Sequence, residues 1–445
     1  MKHAWLMLVC ASSLATAAWA QAPADRPKQP PQPGLTIRTD KPDALYACGA
    51  PATFCIAVTN AATGGGPVEA RVTFLRDFRE ELSRTNIAIR DGESRIAGTL
   101  DKPGFLTCRV EYNTADGKTQ TALAAAGFAP EQIRPGQDEP ADFDAFWASS
   151  REEVGKIPPD PVVTPCPTQN PNVEAFKIGL ANLDGTRAWG FLTMAKNQKG
   201  PFALLVSVPG ANFRAPSAPG WDRVGNGVMR LWISVHPHDP QLPKDQLDAL
   251  EKSPAGNYTR LGAPDRERYY FRRAILGADR LIDYVCANYP WDGKHCVVSG
   301  GSQGGAFALF MAGFNRRVTA CAAEKPALCD HAAYLQGRGT GWPNLASYQT
   351  AELQSATLAM SGYFDAVFFA RRVKVPTVFS VGFIDGTCPP GSVYAAFNQV
   401  PGPKRIFAEP LRGHAFGNSE YSTVVEGSWL REQLGLPPAE PSAKP

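Results

Sequence analysis

A serine hydroxyl is a poor nucleophile at neutral pH unless something takes its proton, and one serine in this chain is placed for that help. Ser302 stands in "VVSGGSQGGAFAL" (residues 297–309), with Gly300, Gly301, Gly304 and Gly305 around it. An apolar run ends at the first glycines and an Ala/Phe/Leu-rich run begins at once. That pattern predicts a strand, a sharp turn and a helix. In such a turn the glycines provide clearance, because a Cβ there would strike the strand or the helix. The serine would also sit at a helix N-terminus, where free N–H groups and the helix dipole favour negative charge. The rival reading is a flexible glycine turn with a structural serine.

A nucleophilic serine needs a base, a carboxylate to orient that base, and N–H donors for the oxyanion. The turn Gly300-x-Ser302-x-Gly304 fits the elbow of an α/β-hydrolase fold, whose chain order is serine, acid, histidine. Of six histidines, only His331 and His414 follow Ser302. His331 comes too early unless the acid lies between the two. His414, in "LRGHAFGN", follows the last predicted strand in a polar, Gly-flanked loop and is the expected base. Asp385, in "PTVFSVGFIDGTCPPGS", comes just past a predicted strand and is the expected acid. Asp365 in "GYFDAVFF" is its rival and lies before that strand. The N–H of Gln303 is one expected oxyanion donor. The other belongs in "PGANFRAPSAPG", where Pro209 has no N–H and Ala211 is the candidate.

Positioning these groups calls for a mostly parallel sheet covered by helices on both faces. Strands are predicted at 202–208, 230–235, 295–300, 318–323, 376–382 and 404–409. The clearest helix is "ERYYFRRAILGADRLIDYVCANY", with Phe271, Ile275, Ala278, Ile282 and Val285 on one stripe. A hairpin is expected around Asp184-Gly185, and a helix after Asp142, a reasonable N-cap. Residues 35–127 differ: short alternating runs broken by Asp-Gly and Gly-Gly read as a small β-sandwich-like domain. The fold expected is therefore an α/β-hydrolase domain (128–445) preceded by a small all-β region. At 445 residues the chain is long enough for both.

The first twenty residues, "MKHAWLMLVCASSLATAAWA", read as a signal peptide ending in an A-x-A site. A Pro-rich linker follows at 21–34. A periplasmic or secreted protein is expected, with no membrane span, since no later apolar run reaches about 20 residues. The formal charge of +3 is small and interspersed, which argues against nucleic acid as a partner. Cys10 falls in the signal peptide and leaves nine of ten cysteines. Cys286 and Cys296 flank a predicted helix-to-strand turn and could pair, or stay as buried thiols. No CxxC pair or Cys/His cluster has zinc spacing, so no metal is expected. His236 and His238 in "VHPHDP", with Asp239, could form a metal pair but read better as a pocket loop or surface. Trp221, Trp232 and Trp342 could line a sugar pocket, with core packing as their default.

Taken together, "GGSQGGAFAL", "GYFDAVFFARRVKVPTVFSVGFIDGTCPPGSVYAAFNQVPGPKRI" and "GHAF" resemble the acetyl xylan esterase / cephalosporin C deacetylase family. "PADFDAFW" and "PALCD" match it as well, and the likeness covers roughly 130–435. The resemblance implies Ser302, Asp385 and His414 as the triad, with Gln303 as one oxyanion donor and Ala211 at the place of the other. It implies an acetylated polysaccharide or oligosaccharide as substrate, no cofactor, and a homo-oligomer whose hexameric ring the added domain would block or alter. Two departures stand out: Pro209-Gly210-Ala211 replaces the family's H-G-Y, and "VHPHDP" replaces an R-G-Q-like turn. Two rival functions are a serine peptidase of prolyl oligopeptidase type and a catalytically inactive glycan-binding protein. The first usually carries a long propeller, for which about 100 residues leave no room; against the second, all three triad positions are filled.

Overall fold

The computed structural model describes residues 34–59, 68–89, 93–114, 117–213, 227–345 and 350–438. The expected signal peptide, nearly all of the Pro-rich linker and Trp221 lie outside them.

Eight strands form the N-terminal region: β1 (Gly34–Thr39), β2 (Leu45–Tyr46), β3 (Ala52–Thr59), β4 (Val68–Arg76), β5 (Glu80–Ile89), β6 (Glu93–Gly98), β7 (Gly104–Asn113) and β8 (Thr119–Phe128). They make two sheets, ordered β1-β3-β6 and β2-β8-β7-β4-β5. Side chains from both, among them Phe54, Ile56, Val72, Phe74 and Val110, close one apolar core between them. The Phe54 and Phe74 rings meet at 5.5 Å. The sequence run 80–98 is divided between the sheets: β5 pairs with β4, while β6 crosses over to pair with β3. The alternation of apolar residues marked both as strands but carried no information about partners.

The larger sheet has nine strands: β9 (Val162–Cys166), β10 (Val173–Ala181), β11 (Arg187–Ala195), β12 (Phe202–Val208), β13 (Val228–Ser234), β14 (Trp291–Gly301), β15 (Ala320–Glu324), β16 (Thr377–Gly382) and β17 (Lys404–Glu409). Its order is β17-β16-β15-β14-β12-β13-β11-β10-β9. The six strands from β13 across to β17 run parallel. The β10–β11 hairpin turns at Leu183–Gly185, as the Asp-Gly pair predicts. Helices α1 (Phe143–Gly155), α2 (Lys244–Lys252), α3 (Tyr270–Asn288), α4 (Gln303–Phe314), α5 (Ala351–Ser361), α6 (Ala366–Ala370) and α7 (Pro390–Gln399) accompany it. The mixed α/β architecture with an all-β region ahead of it matches the expected fold class. Because α4 carries apolar residues all round, it is buried on every face, with Gln303 to Ala312 out of solvent.

Asp142 precedes α1 without capping it. Its carboxylate is taken instead by Arg266, at 2.7 Å, and by the Tyr363 hydroxyl. The expected cap is thus a long-range ion pair. All nine cysteines from Cys48 to Cys388 are free thiols. Cys286 and Cys296 touch through a hydrogen bond and are not joined.

The two regions share core. Phe105 of β7 meets Phe383 at 4.9 Å and Tyr394 of α7 at 5.6 Å. Asp77, fully buried in the β4–β5 turn, accepts the Gly391 N–H at 3.4 Å in the first turn of α7. Burial pushes its carboxyl up to about 7.

Candidate active site

At the end of β14 the chain reverses into α4, and Ser302 is the residue at the corner. Its φ of 55° and ψ of −120° lie where an L-residue is strained. Neighbouring backbone holds it there. The Ser302 N–H donates to Glu324 O at 2.9 Å, and its carbonyl accepts from Ala327 at 2.9 Å and Ala306 at 3.1 Å. The crowding explains the glycines: a Cβ on Gly304 would lie 2.0 Å from Val208 O, and one on Gly300 would lie 2.5 Å from Gly304 O. No side chain fits at either position.

The structure brings Ser302, Asp385 and His414 together from three strand ends. Asp385 follows β16 and is fully buried. Its Oδ1 accepts the N–H groups of Thr387 and Cys388, each at 2.9 Å. Its Oδ2 lies 2.7 Å from His414 Nδ1. A carboxylate can only accept, so Nδ1 carries a proton, and in the neutral imidazole Nε2 is then bare. That bare nitrogen stands 3.0 Å from Ser302 Oγ and can accept its hydroxyl proton. His414 itself is carried by the loop after β17. The Arg412 guanidinium closes that loop on the carbonyls of Gly417 and Asn418, at 2.6 and 2.8 Å.

The other sequence candidates fall elsewhere. His331 is buried with a side chain that no hydrogen bond reaches, and burial pushes it down to about 4. Asp365 caps α6, accepting from the N–H groups of Asp330, His331 and Val367 at 2.8–3.0 Å. Trp232 is core, packed with Phe191. Asp239 turns away from the histidines to Lys177 at 2.6 Å.

Gln303 opens α4, in the first turn where a helical N–H has no partner within the helix. Its buried side-chain Oε1 accepts the Tyr258 hydroxyl at 2.6 Å. Ala211 lies in the loop after β12, and a Cβ on its neighbour Gly210 would come 3.8 Å from the Ser302 Cβ. Gly210 and Ala211, together with Pro209, Asn212, Gly301, Glu324 and Phe416, line an opening of about 430 Å³ that reaches the residue before Ser302.

Three features went unread in the sequence. Lys325, almost fully buried, pairs with Glu409 at 3.2 Å and donates to the Ala415 carbonyl, tying the segment after His414 to the end of β15. Its signal was the one basic residue in "CAAEKPALCD". The Cys388 thiol faces Ser302, and burial pushes it well above the usual thiol range, so it stays protonated. Among the described residues, Asp385, Cys388 and His414 are also the group whose ligand atoms lie within 4.8 Å of one another. Two of those three already bond to each other. The third feature is a pair of hydroxyls, Tyr258 and Tyr270, behind the loop that carries Ala211.

The family model for acetyl xylan esterase matches residues 131–432. The chain belongs to the acetyl xylan esterase family. It is a carboxylic ester hydrolase of the carbohydrate esterase kind. It is 32% identical over 368 residues to the acetyl esterase Axe7A of Xylanibacter ruminicola, covering 80% of this chain and 81% of that one. Among solved structures, the acetyl xylan esterase from Paenibacillus sp. R4 superposes with a TM-score of 0.58 at 24% identity, covering 69% of this chain and 98% of that one. Acetyl xylan esterase 1 from Thermoanaerobacterium sp. JW/SL YS485 gives 0.57 at 20% identity, covering 69% and 97%. The share matched by these two shows that the α/β-hydrolase fold is common to all three. Within this family frame, no helix among the described residues is long and apolar enough to cross a membrane.

Proposed function

We propose that the protein removes acetyl groups from xylan or xylo-oligosaccharides through an acetyl-enzyme on Ser302. The observation that carries this reading is the pair of hydrogen bonds from Asp385 through His414 to Ser302, at 2.7 and 3.0 Å. Ser302 Oγ attacks the ester carbonyl as His414 Nε2 takes its proton. Asp385 keeps the imidazole in the tautomer that can do so and balances the imidazolium that forms. The N–H groups of Gln303 and Ala211 receive the oxyanion. His414 then returns the proton to the departing sugar oxygen, which leaves as an alcohol. Water, activated by the same nitrogen, attacks the acetyl-serine and releases acetate.

The choice of an acetylated sugar rests on the family and on what the relatives' names say they act on. The backbone donor at Ala211 survives the loss of the family's tyrosine, since an N–H does not depend on its side chain. The signal-peptide reading supports a place in the periplasm or outside the cell, where such polymers are met.

The test is acetate release from acetylated xylan and xylo-oligosaccharides, with Ser302→Ala as control. Release by the parent and none by Ser302→Ala is expected. Activity persisting in that purified variant would sink the assignment, and turnover of peptide amides in place of acetyl esters would point to the peptidase reading.

A further inference from the structure

An oxyanion donor on a loop works only as well as the loop is aimed. Among the described residues the segment 209–213 leaves β12 as a loop with no helix of its own, so its aim is read from the contacts it makes. We infer that His236 is a positioning residue for the oxyanion hole, supported by Tyr270 and Tyr258; this rests on the reading of Ser302 as nucleophile and Ala211 as donor.

His236 is nearly fully buried just past the end of β13, the strand beside β12. Its Nε2 lies 2.7 Å from the carbonyl oxygen of Asn212, the residue after Ala211. A carbonyl only accepts, so Nε2 must carry the hydrogen, and Nδ1 is then an acceptor. The Tyr270 hydroxyl of α3 donates to it at 2.7 Å. Tyr270 therefore fixes the tautomer, much as Asp385 fixes that of His414. His238 repeats the contact one residue on, bonding to the backbone of Phe213. The two imidazoles stack at 5.2 Å, and Phe213 packs on both at 5.1 and 4.9 Å.

The same cluster reaches the second donor. Tyr258 stands edge-on to His236 at 4.9 Å and gives its hydroxyl to Gln303 Oε1. One buried group of rings thus touches both halves of the oxyanion hole. The charged and titratable groups facing His236 are His238, Arg273, Tyr258 and Tyr270. Burial and the Arg273 cation keep both histidines neutral, the state that the contact with Tyr270 requires. "VHPHDP", where the chain departs from the family's turn, is the segment packed behind the loop.

The experiment compares His236→Phe, His236→Gln, Tyr270→Phe and Ser302→Ala with the parent in p-nitrophenyl acetate hydrolysis, fluorophosphonate labelling and thermal midpoint. Losing an oxyanion donor outright costs roughly 10²–10³ in kcat, so mis-aiming one in His236→Phe should cost about 10- to 100-fold, with KM within about twofold. His236→Gln, whose amide can still donate to Asn212, should return kcat to within about fivefold of the parent. Tyr270→Phe should lower kcat by about three- to tenfold at unchanged KM, because the tautomer is no longer fixed. A His236→Phe enzyme with parental kcat, or a Gln variant no better than the Phe variant at equal thermal midpoint, would overturn the inference. If His236→Phe does not fold, Tyr270→Phe decides, and a parental kcat there overturns it equally. Ser302→Ala keeps the two readings apart. An active Ser302→Ala removes the nucleophile assignment itself, whereas an inactive one beside a fully active His236→Phe removes only the clamp.

Discussion

Val208, the last residue of β12, lies in register beside Gly300, the last but one of the parallel strand β14, yet the turns that follow the two strands are held by different means. The nucleophile turn is held by sterics. Glycines permit a backbone approach that no Cβ would survive, and N–H and C=O groups of adjacent segments lock Ser302 at its strained angles. The loop proposed to carry the second oxyanion donor has no such crowding at Gly210, where a Cβ would meet nothing closer than 3.7 Å. It is held by imidazoles reaching from the next strand. A sterically fixed turn leaves a local signature in the sequence. A turn fixed by distant side chains leaves none.

The largest expected effect is on the nucleophile side. Asp385→Asn should leave the fold intact and lower kcat by about 10⁴, since the imidazole then presents the wrong tautomer to Ser302. A loss below tenfold would show that the 2.7 Å bond to His414 is not used in the reaction. Across the gap, Ala211→Pro removes one N–H and should cost about 10²–10³ in kcat, while Ala211→Gly should stay near the parent. If the glycine variant fails equally, the side chain matters and not the backbone donor.

Gly304→Ala tests the steric half directly. With a Cβ 2.0 Å from Val208 O, β12 and α4 must part, at a cost of about 1–3 kcal/mol or more and with loss of fluorophosphonate labelling. A variant of parental stability would mean the turn is softer than its geometry suggests. The smallest effect should separate the two turns by pH. Burial lowers His236 from its ordinary 6.5 to about 4. The unfolded chain therefore binds the proton first, and the contribution of His236 is full above pH 6.5 and is lost as pH falls towards 4. His236→Gln should flatten that decline, so that its thermal midpoint relative to the parent's rises by about 2–4 °C between pH 7 and pH 4.5. A difference that stays constant with pH would show that His236 does not titrate in this window.

Much of the frame was legible. Strands 202–208 and 404–409 and the helix at 303–314 occupy the spans read from their apolar runs. β14 starts earlier than its apolar core, at Trp291, because the polar Asp292–Lys294 segment continues the strand to a bulged pairing with Phe202. Asp142 failed as a cap because Arg266, far along the chain, offers its carboxylate an ion pair. By position Asp385 is preferred to its rival Asp365, because it follows the strand and Asp365 precedes it. What separates them in the fold is burial partners: three N–H groups consume Asp365, while Asp385 keeps Oδ2 for His414.

The sequence by itself determined the elbow, the order of its partners and the alternation of strand and helix. Each of these follows from local sterics or from the period of apolar residues along the chain. Only the tertiary structure decided how the sandwich docks through Phe105 and Asp77, why Lys325 is buried, and which groups aim the loop carrying Ala211. Those depend on polar atoms that must find partners once buried. The partners come from strands and helices that sequence places far apart and only the folded sheet brings within 3 Å.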